Sequence, residues 1–453
     1  MTVIPFEDPE DWWIAQLSNS AMGIRALQTF FASQRWIHRR VERVSFSDGR
    51  AYSRRVSLDV SVPVHCPSVI SPSGDRYSLL PVSLLRKVPL VDFSLEGDLA
   101  KTLFNLTLEQ NAALSFAGLR TLAAAAAAQP LSNELSLDIR SLVEGPAIAA
   151  LSARERILSP DLRALDIAQR KLVKDGGITE WFLGQLAENF LFVIPVQAPV
   201  GSRLVVKYSH SGWDEDDPST HDPWYLKFVE GLGLRATHFY LNATSASTAG
   251  SYHLQVDLPK GVVEKSVKLL ALQEDKVAEI QTRRAPGRTP HLVCSRLPLA
   301  QSVKAEVQLQ PSPIHWLVQS SLASAASAIL LGLFWWRTDA ALSSSGGAGT
   351  GQTVVTALLL ASSSLIATLL TRPGEHGLAS RLVRKLRLVA GTVLGAPFVA
   401  SLLVALAFPK PAIHTVMFYL AVYSAVGLAL LCIALWMSLR CDRVLRRRER
   451  EPS

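Results

Sequence analysis

The run HSGWDEDDPSTHDPW, residues 210–224, holds the densest set of side chains in this sequence that could do chemistry. His210 and His221 flank Asp214, Glu215, Asp216 and Asp217, and Asp222 follows. Imidazole nitrogens with one or two carboxylates suit zinc, which takes such ligands in a tetrahedral set. His210, Asp214, Asp216 and His221 are therefore the candidate metal ligands. A calcium loop would need oxygens at fixed offsets, a glycine turn and a distal glutamate. Asp214 and Asp216 begin that register, but no glycine or glutamate continues it. The stretch 214–218 is instead turn-forming and water-loving, as expected of a loop after a strand ending near Tyr208. The loop is the favoured reading, with no cofactor and no catalytic residue assigned.

No other motif argues for an enzyme. The phosphate-binding G-x-x-x-x-G-K-[ST], the nucleophile elbow G-x-S-x-G and the zinc helix H-E-x-x-H are all missing from the sequence. Gly231 and Gly233 open no dinucleotide fingerprint, because residue 236 is alanine. His238 and His253 fall on strand-like stretches and read as paired or exposed rather than as ligands. Cys66, Cys294, Cys432 and Cys441 are too scattered for a metal knuckle or a disulfide framework.

The elements that must position any site divide the chain in two. From residue 316 onward lie four long apolar runs, 316–336, 352–371, 386–408 and 415–438, whose only charge is Arg387 near the start of the third. Each reaches the roughly 20 residues that a helix needs to cross a bilayer, and SSSGGAGTG, RPGEHG and PKPAIH separate them. They predict an all-α bundle of four transmembrane helices over residues 313–438. Gly391 and Gly395 form a G-x-x-x-G step in the third run, a spacing that lets helices approach closely. No ionisable group sits deep in the runs, which argues against a proton or ion path.

Charge predicts orientation. Residues 313–453 carry 13 basic and five acidic side chains, which accounts for the net charge of +8 and leaves residues 1–312 neutral. The excess thus belongs beside a membrane rather than on a nucleic-acid surface. Arg381, Arg384, Lys385 and Arg387 cluster between the second and third runs, and Arg443, Arg446, Arg447 and Arg448 lie in the basic tail 439–453. The positive-inside rule places both clusters in the cytoplasm. An even number of spans then puts the N-terminus there too, and its opening residues show no secretory signal.

Residues 1–189 read as a mixed α/β region. The first 50 look mostly helical, and the basic cluster His38, Arg39, Arg40, Arg43, Arg50, Arg54 and Arg55 reads as a solvated face paired with the domain's acids, with contact to anionic lipid headgroups as the alternative. In 55–64, Val56, Leu58, Val60, Val62 and Val64 alternate with polar residues, as in a half-buried strand. One or two more strands fall within 79–95, where prolines predict edges or turns. Thr107 and Gln110 form a capping box ahead of a helix through the alanines at 123–128. Further helices are predicted over 159–177 and from about residue 179. Over residues 190–312 seven short strand-like stretches predict an antiparallel β-sandwich, tethered to the first span by Pro311, Ser312 and Pro313.

The phrases RRVSLDVSVPV (54–64), LPVSLLRKVPLVDFSLEGD (80–98), LTLEQN (106–111) and SYHLQVDLP (251–259), ahead of several spans, resemble a group of actinobacterial multi-pass membrane proteins. The resemblance covers most of 54–310. It implies a large cytoplasmic region on a membrane anchor, and no catalytic residue. The expected function is a multi-pass plasma-membrane protein that presents a cytoplasmic interaction or sensing module. Its partners would be the lipid bilayer and either another protein or further copies of itself, with no nucleic acid. The alternative is a ligand-gated oligomeric pore with a cytoplasmic sensor.

Overall fold

A computed structural model describes residues 9–46, 51–71, 73–88, 91–97, 105–127, 131–158, 178–213, 235–273, 276–280, 283–284, 290–298, 302–343, 376–406 and 410–448, with single positions at 223, 230, 357 and 360. The first layer is helical: α1 (Pro9–Leu17), α2 (Ser20–Phe31), α3 (Leu108–Ala127), α4 (Asn133–Glu144), α5 (Ala147–Ile157) and α6 (Ile178–Glu188). The capping box ahead of α3 forms as the sequence predicts. Thr107 N donates to Gln110 Oε1 at 3.0 Å, and Gln110 N donates to Thr107 Oγ1 at 3.2 Å. Helices α2 and α3 cross in backbone contact at Gly23 and Gly118, where a Cβ on Gly23 would lie 2.2 Å from Gly118 N. The predicted helix over 159–177 lies outside the described residues.

The strands are β1 (Ile37–Phe46), β2 (Ala51–Ser61), β3 (Ser68–Ile70), β4 (Arg76–Arg86), β5 (Val91–Gly97), β6 (Asn189–Val196) and β7 (Arg203–Trp213). They continue with β8 (Thr237–Asn242), β9 (Ser251–Asp257), β10 (Val262–Gln273), β11 (Lys276–Ile280), β12 (Arg283–Arg284), β13 (His291–Ser295) and β14 (Ser302–Pro311). A seven-stranded sheet runs β12-β13-β9-β1-β2-β7-β5, a four-stranded sheet β11-β10-β14-β8, and a three-stranded sheet β3-β4-β6. One side of the large sheet faces both smaller ones. Leu58, Val60 and Val206 pack with Leu80, Val82 and Ile194 of the three-stranded sheet. Leu254, Val256 and Leu292 pack with Phe239, Val307 and Leu309 of the four-stranded sheet.

Several expectations change here. Residues 37–46, expected within a helical N-terminus, form β1, because Arg40, Glu42, Val44 and Phe46 alternate inward along a strand. The prolines do not confine β4 to an edge. It is the middle strand of its sheet, and Pro81 is accommodated where the register with β6 shifts. Val64, expected inward, lies beyond the end of β2 and is exposed. Strand pairing also runs across residue 190. β6 pairs with β4, while β7 pairs with β2 and β5, so sheets expected from 190–312 alone draw strands from both sides. Nor is the pairing wholly antiparallel, since β1 and β9 are parallel.

Beyond Pro311 only Ser312 precedes α7 (Pro313–Ser343), and Ser312 N donates to Gly261 O at 2.8 Å. Then come α8 (Gly377–Leu382), α9 (Arg384–Ala405, with Pro397 inside it) and α10 (Lys410–Arg448). Three of these helices are long and apolar enough to cross a membrane, over Leu317–Trp336, Leu386–Ala405 and Pro411–Trp436. The run 352–371, apart from positions 357 and 360, lies outside the described residues. Leu317, Leu386 and Leu431 meet near one end of the helices, and Leu331, Ala400 and Ile413 near the other. Helices α7 and α9 therefore run parallel, with α10 antiparallel to both. Helix α8 turns back onto the β-sheets. Leu378, Ala379 and Leu382 are buried beside Phe46, Tyr52 and Leu309, and His376 Nε2 lies 2.7 Å from Phe46 O.

Candidate functional site

Of the four candidate metal ligands only His210 is described; Asp214, Asp216 and His221 lie outside the described residues. His210 sits near the end of β7, its ring nearly parallel to that of Tyr208 at 6.4 Å. Its in-register neighbour on β2 is Arg54. Burial, with the Arg54 guanidinium beside it, pushes the imidazole down to about pKa 4, so the ring is neutral at pH 7. The same guanidinium opposes a divalent cation at this ring. Among the described residues no three His, Cys, Asp or Glu side chains stand close enough to hold a metal ion.

Behind His210 lies a buried ionic network that no local window of sequence displays. Strand alternation and register build it as a grid on the inner face of the large sheet. Tyr252, Arg40, Leu58 and Val206 share one row; Leu254, Glu42, Val56 and Tyr208 the next; Val256, Val44, Arg54 and His210 a third. Arg40 Nε donates to Glu42 Oε1 at 2.6 Å, and Arg54 Nη1 lies 3.5 Å from Glu42 Oε2. Tyr252 OH donates to Glu42 Oε2 at 3.1 Å. Arg40 Nη2 donates to Tyr208 OH at 2.8 Å, and Tyr208 OH donates to Ser83 Oγ at 3.1 Å.

The smaller sheets close the grid from above. Ser83 on β4 meets Ser245, in the turn after β8, at 3.0 Å, and Arg54 Nη1 donates to Asn242 O of β8 at 2.7 Å. The network thus sits on the seam where all three sheets meet. Burial alone would raise the Glu42 carboxyl, but the Arg40 and Arg54 guanidiniums hold it below the usual carboxylate range. Burial and the Glu42 charge hold the Tyr252 phenol well above its ordinary value. Two guanidiniums share one carboxylate, and Arg40 Nη1 and Arg54 Nε have no acceptor among the described residues. With Arg40 and Glu42 only 2% and 1% exposed, no solute reaches them. Their chemistry is to fix the seam.

A second feature is concave. A cavity of about 580 Å³ is lined by Phe93, Phe190, Phe192, Leu106 and Val143, with Lys87 among them. Lys87 Nζ donates to Leu142 O and Gly145 O at the end of α4, the usual place for a cation on a helix. Burial brings its amine down to about pKa 8. Cys66 is inert by comparison, its thiol pushed up to about 12 by burial and directed at Leu79 O.

The orienting residues fall on helices. Arg381 lies on α8, Arg384, Lys385 and Arg387 on the first turn of α9, and Arg443, Arg446, Arg447 and Arg448 on the last turns of α10. Among the described residues nothing lies within 4 Å of where a Cβ on Gly391 or Gly395 would sit. The close approach between α9 and α10 is at Gly427, where a Cβ would lie 2.4 Å from Val393 Cγ2. A scan against protein-family models and a search of curated proteins both return no match, so the resemblance to actinobacterial membrane proteins gains no support from either.

Proposed function

We propose that the chain is a multi-pass plasma-membrane protein whose sheet-rich N-terminal region is a cytoplasmic interaction or sensing module held against the bilayer. The observation that carries this reading is the docking of α8 in the core shared by the large and four-stranded sheets. That contact keeps residues 376–382 and the N-terminal region on one side of any membrane. Helices α7 and α9 both start on that side, so the chain must return across the bilayer between them. The apolar run 352–371 has the length for that crossing. Arg381, Arg384, Lys385 and Arg387 then lie beside the module, as do Arg443, Arg446, Arg447 and Arg448 at the far end of α10. By the positive-inside rule that side is the cytoplasm.

The outward helix surfaces agree with lipid contact: Leu322, Trp336 and Tyr419 are each about two-thirds exposed. The occupants of the module are another protein or further copies of this chain, and Gly391 and Gly395, which meet no described residue, offer a step for self-association. A gated pore is the second reading, and it needs that self-association to close a ring. The test is cysteine labelling in intact cells with a membrane-impermeant maleimide. Ser343→Cys should label from outside, while Ser380→Cys should label only after permeabilisation. Outside labelling of Ser380→Cys would overturn the orientation. Native mass spectrometry from native lipid would separate a ring from a monomer or dimer carrying another polypeptide.

A further inference from the structure

The outer face of the seven-stranded sheet carries a second set of cations. Small side chains at Val41, Ser57, Ser94 and Ser209 floor a cleft of about 420 Å³ that spans β9, β1, β2, β7 and β5. Arg43, Arg55 and Lys207 line it, against a single acid, Glu96. Arg43 and Arg55 stand directly opposite each other on adjacent antiparallel strands. Like charges in that relation destabilise a sheet, so the fold carries an opposed pair that packing does not require. Arg43 lines the cleft and is tied by Nε to Asp257, at 2.5 Å, and its two terminal nitrogens make no hydrogen bond to a described residue. Arg55 makes no ion pair or hydrogen bond with any described residue. Lys207 is in register with Glu96 yet forms no ion pair with it. Ser94 and Ser209 share a hydrogen bond at 2.8 Å in the floor, and the Gln255 amide adds another donor at the rim.

We propose that this cleft binds a phosphate monoester, its dianion seated between Arg43 and Arg55 with Lys207 beside it. Two planar guanidiniums and an ammonium match a tetrahedral dianion, and the serine hydroxyls supply the shorter donors around it. The volume admits a small phosphorylated solute and leaves no room for acyl chains. A phosphate on a lipid headgroup is the other source of the same chemistry. From Arg43 the strand runs three residues, about 10 Å, to Phe46, where His376 docks just ahead of α8, the short helix that leads into α9. One end of the cleft therefore lies toward the helices. The inference stands apart from the orientation proposed above and holds or fails on binding alone.

The experiment uses the full-length protein in nanodiscs, either of phosphatidylcholine alone or with added phosphatidic acid, and follows the thermal midpoint. Inorganic phosphate is titrated at constant ionic strength against chloride. A saturable rise with phosphate in phosphatidylcholine discs, weakened tenfold or more in Arg55→Gln and in Lys207→Gln, assigns the site to a free solute. A rise with phosphatidic acid and none with inorganic phosphate, lost in the same variants, assigns it to a headgroup. Without any anion, Arg55→Gln should hold or slightly raise the midpoint, because it relieves the opposed pair, and this shows that the variant folds. No rise in either disc, or a rise undiminished in both variants, overturns the proposal.

Discussion

The hairpin of β1 and β2 carries arginines on both of its faces, and the two sets have opposite fates. Arg40 and Arg54 point inward and share Glu42, Arg40 out of reach of water and Arg54 nearly so; Arg39, Arg43 and Arg55 point outward and are solvated. One residue of offset along a strand decides between them, since successive side chains alternate faces. Inside, a charge is a constraint. It has given up hydration and must find fixed partners, so its neighbours are specified to within a hydrogen bond. Outside, the same side chain is an available donor with little effect on stability.

The sharpest way to break this contrast is Glu42→Ala, which strands two buried guanidiniums without a carboxylate. A loss of about 3–5 kcal/mol is expected, the usual cost of breaking a buried pair, read by denaturant unfolding of the purified protein. Replacing Arg40, Glu42 and Arg54 together by Met, Leu and Met should recover most of that loss, because no buried charge then remains. If the triple variant is as unstable as Glu42→Ala, the network is doing more than neutralising itself.

The next effect is on pH. His210 has a folded pKa of about 4, below the ordinary value of 6.5. The unfolded chain gains its proton between those two values while the folded chain does not. Stability should therefore fall as pH drops from about 6.5 to 4 and level off below, by up to about 3 kcal/mol. His210→Gln should flatten that window in thermal melts. The smallest effect belongs to the outer face. Arg203 and Asp59 pair at 2.5 Å, and Arg203 holds the Asp59 carboxyl below its usual range. Both ends meet solvent, so Asp59→Asn should move the thermal midpoint by no more than about 1–2 °C.

What the sequence disclosed about this molecule was local. The alternation at Val56, Leu58 and Val60, the same pattern at Tyr252, Leu254 and Val256, and the capping box at Thr107 and Gln110 each lie within one short window. Three of the four apolar runs likewise appear as helices. β1 was hidden because two of its inward positions are charged, which disguises a period of two as a basic patch. Its parity was still readable: Arg40 and Glu42 share a face with Val44 and Phe46. Helix α4 also had a readable signal, with Ser132 capping it and Leu135, Ile139, Leu142 and Val143 at helical spacing. The buried network could not be read, because Arg40, Ser83, Tyr208, Ser245 and Tyr252 meet only through the order of strands in three sheets. The metal candidates around His210 are neighbours in sequence only, whereas His210 is set by its burial and then by Arg54, from another strand. Gly427 likewise has no local signature of its contact with Val393, while the more conspicuous Gly391 and Gly395 meet no described residue.

The double junction between the sheets and the helices has a mechanical consequence. A rigid body hinged at one point keeps three rotations; pinned at two, it keeps a single rotation, about the line joining the pins. The pins here are the bond path from β14 through Ser312 into α7, and the α8 dock that leads into α9. The sheets cannot swivel freely beneath the helices. Any rocking about that one axis turns the first turns of α7 and α9 together, so the two helices share a single degree of freedom with the domain.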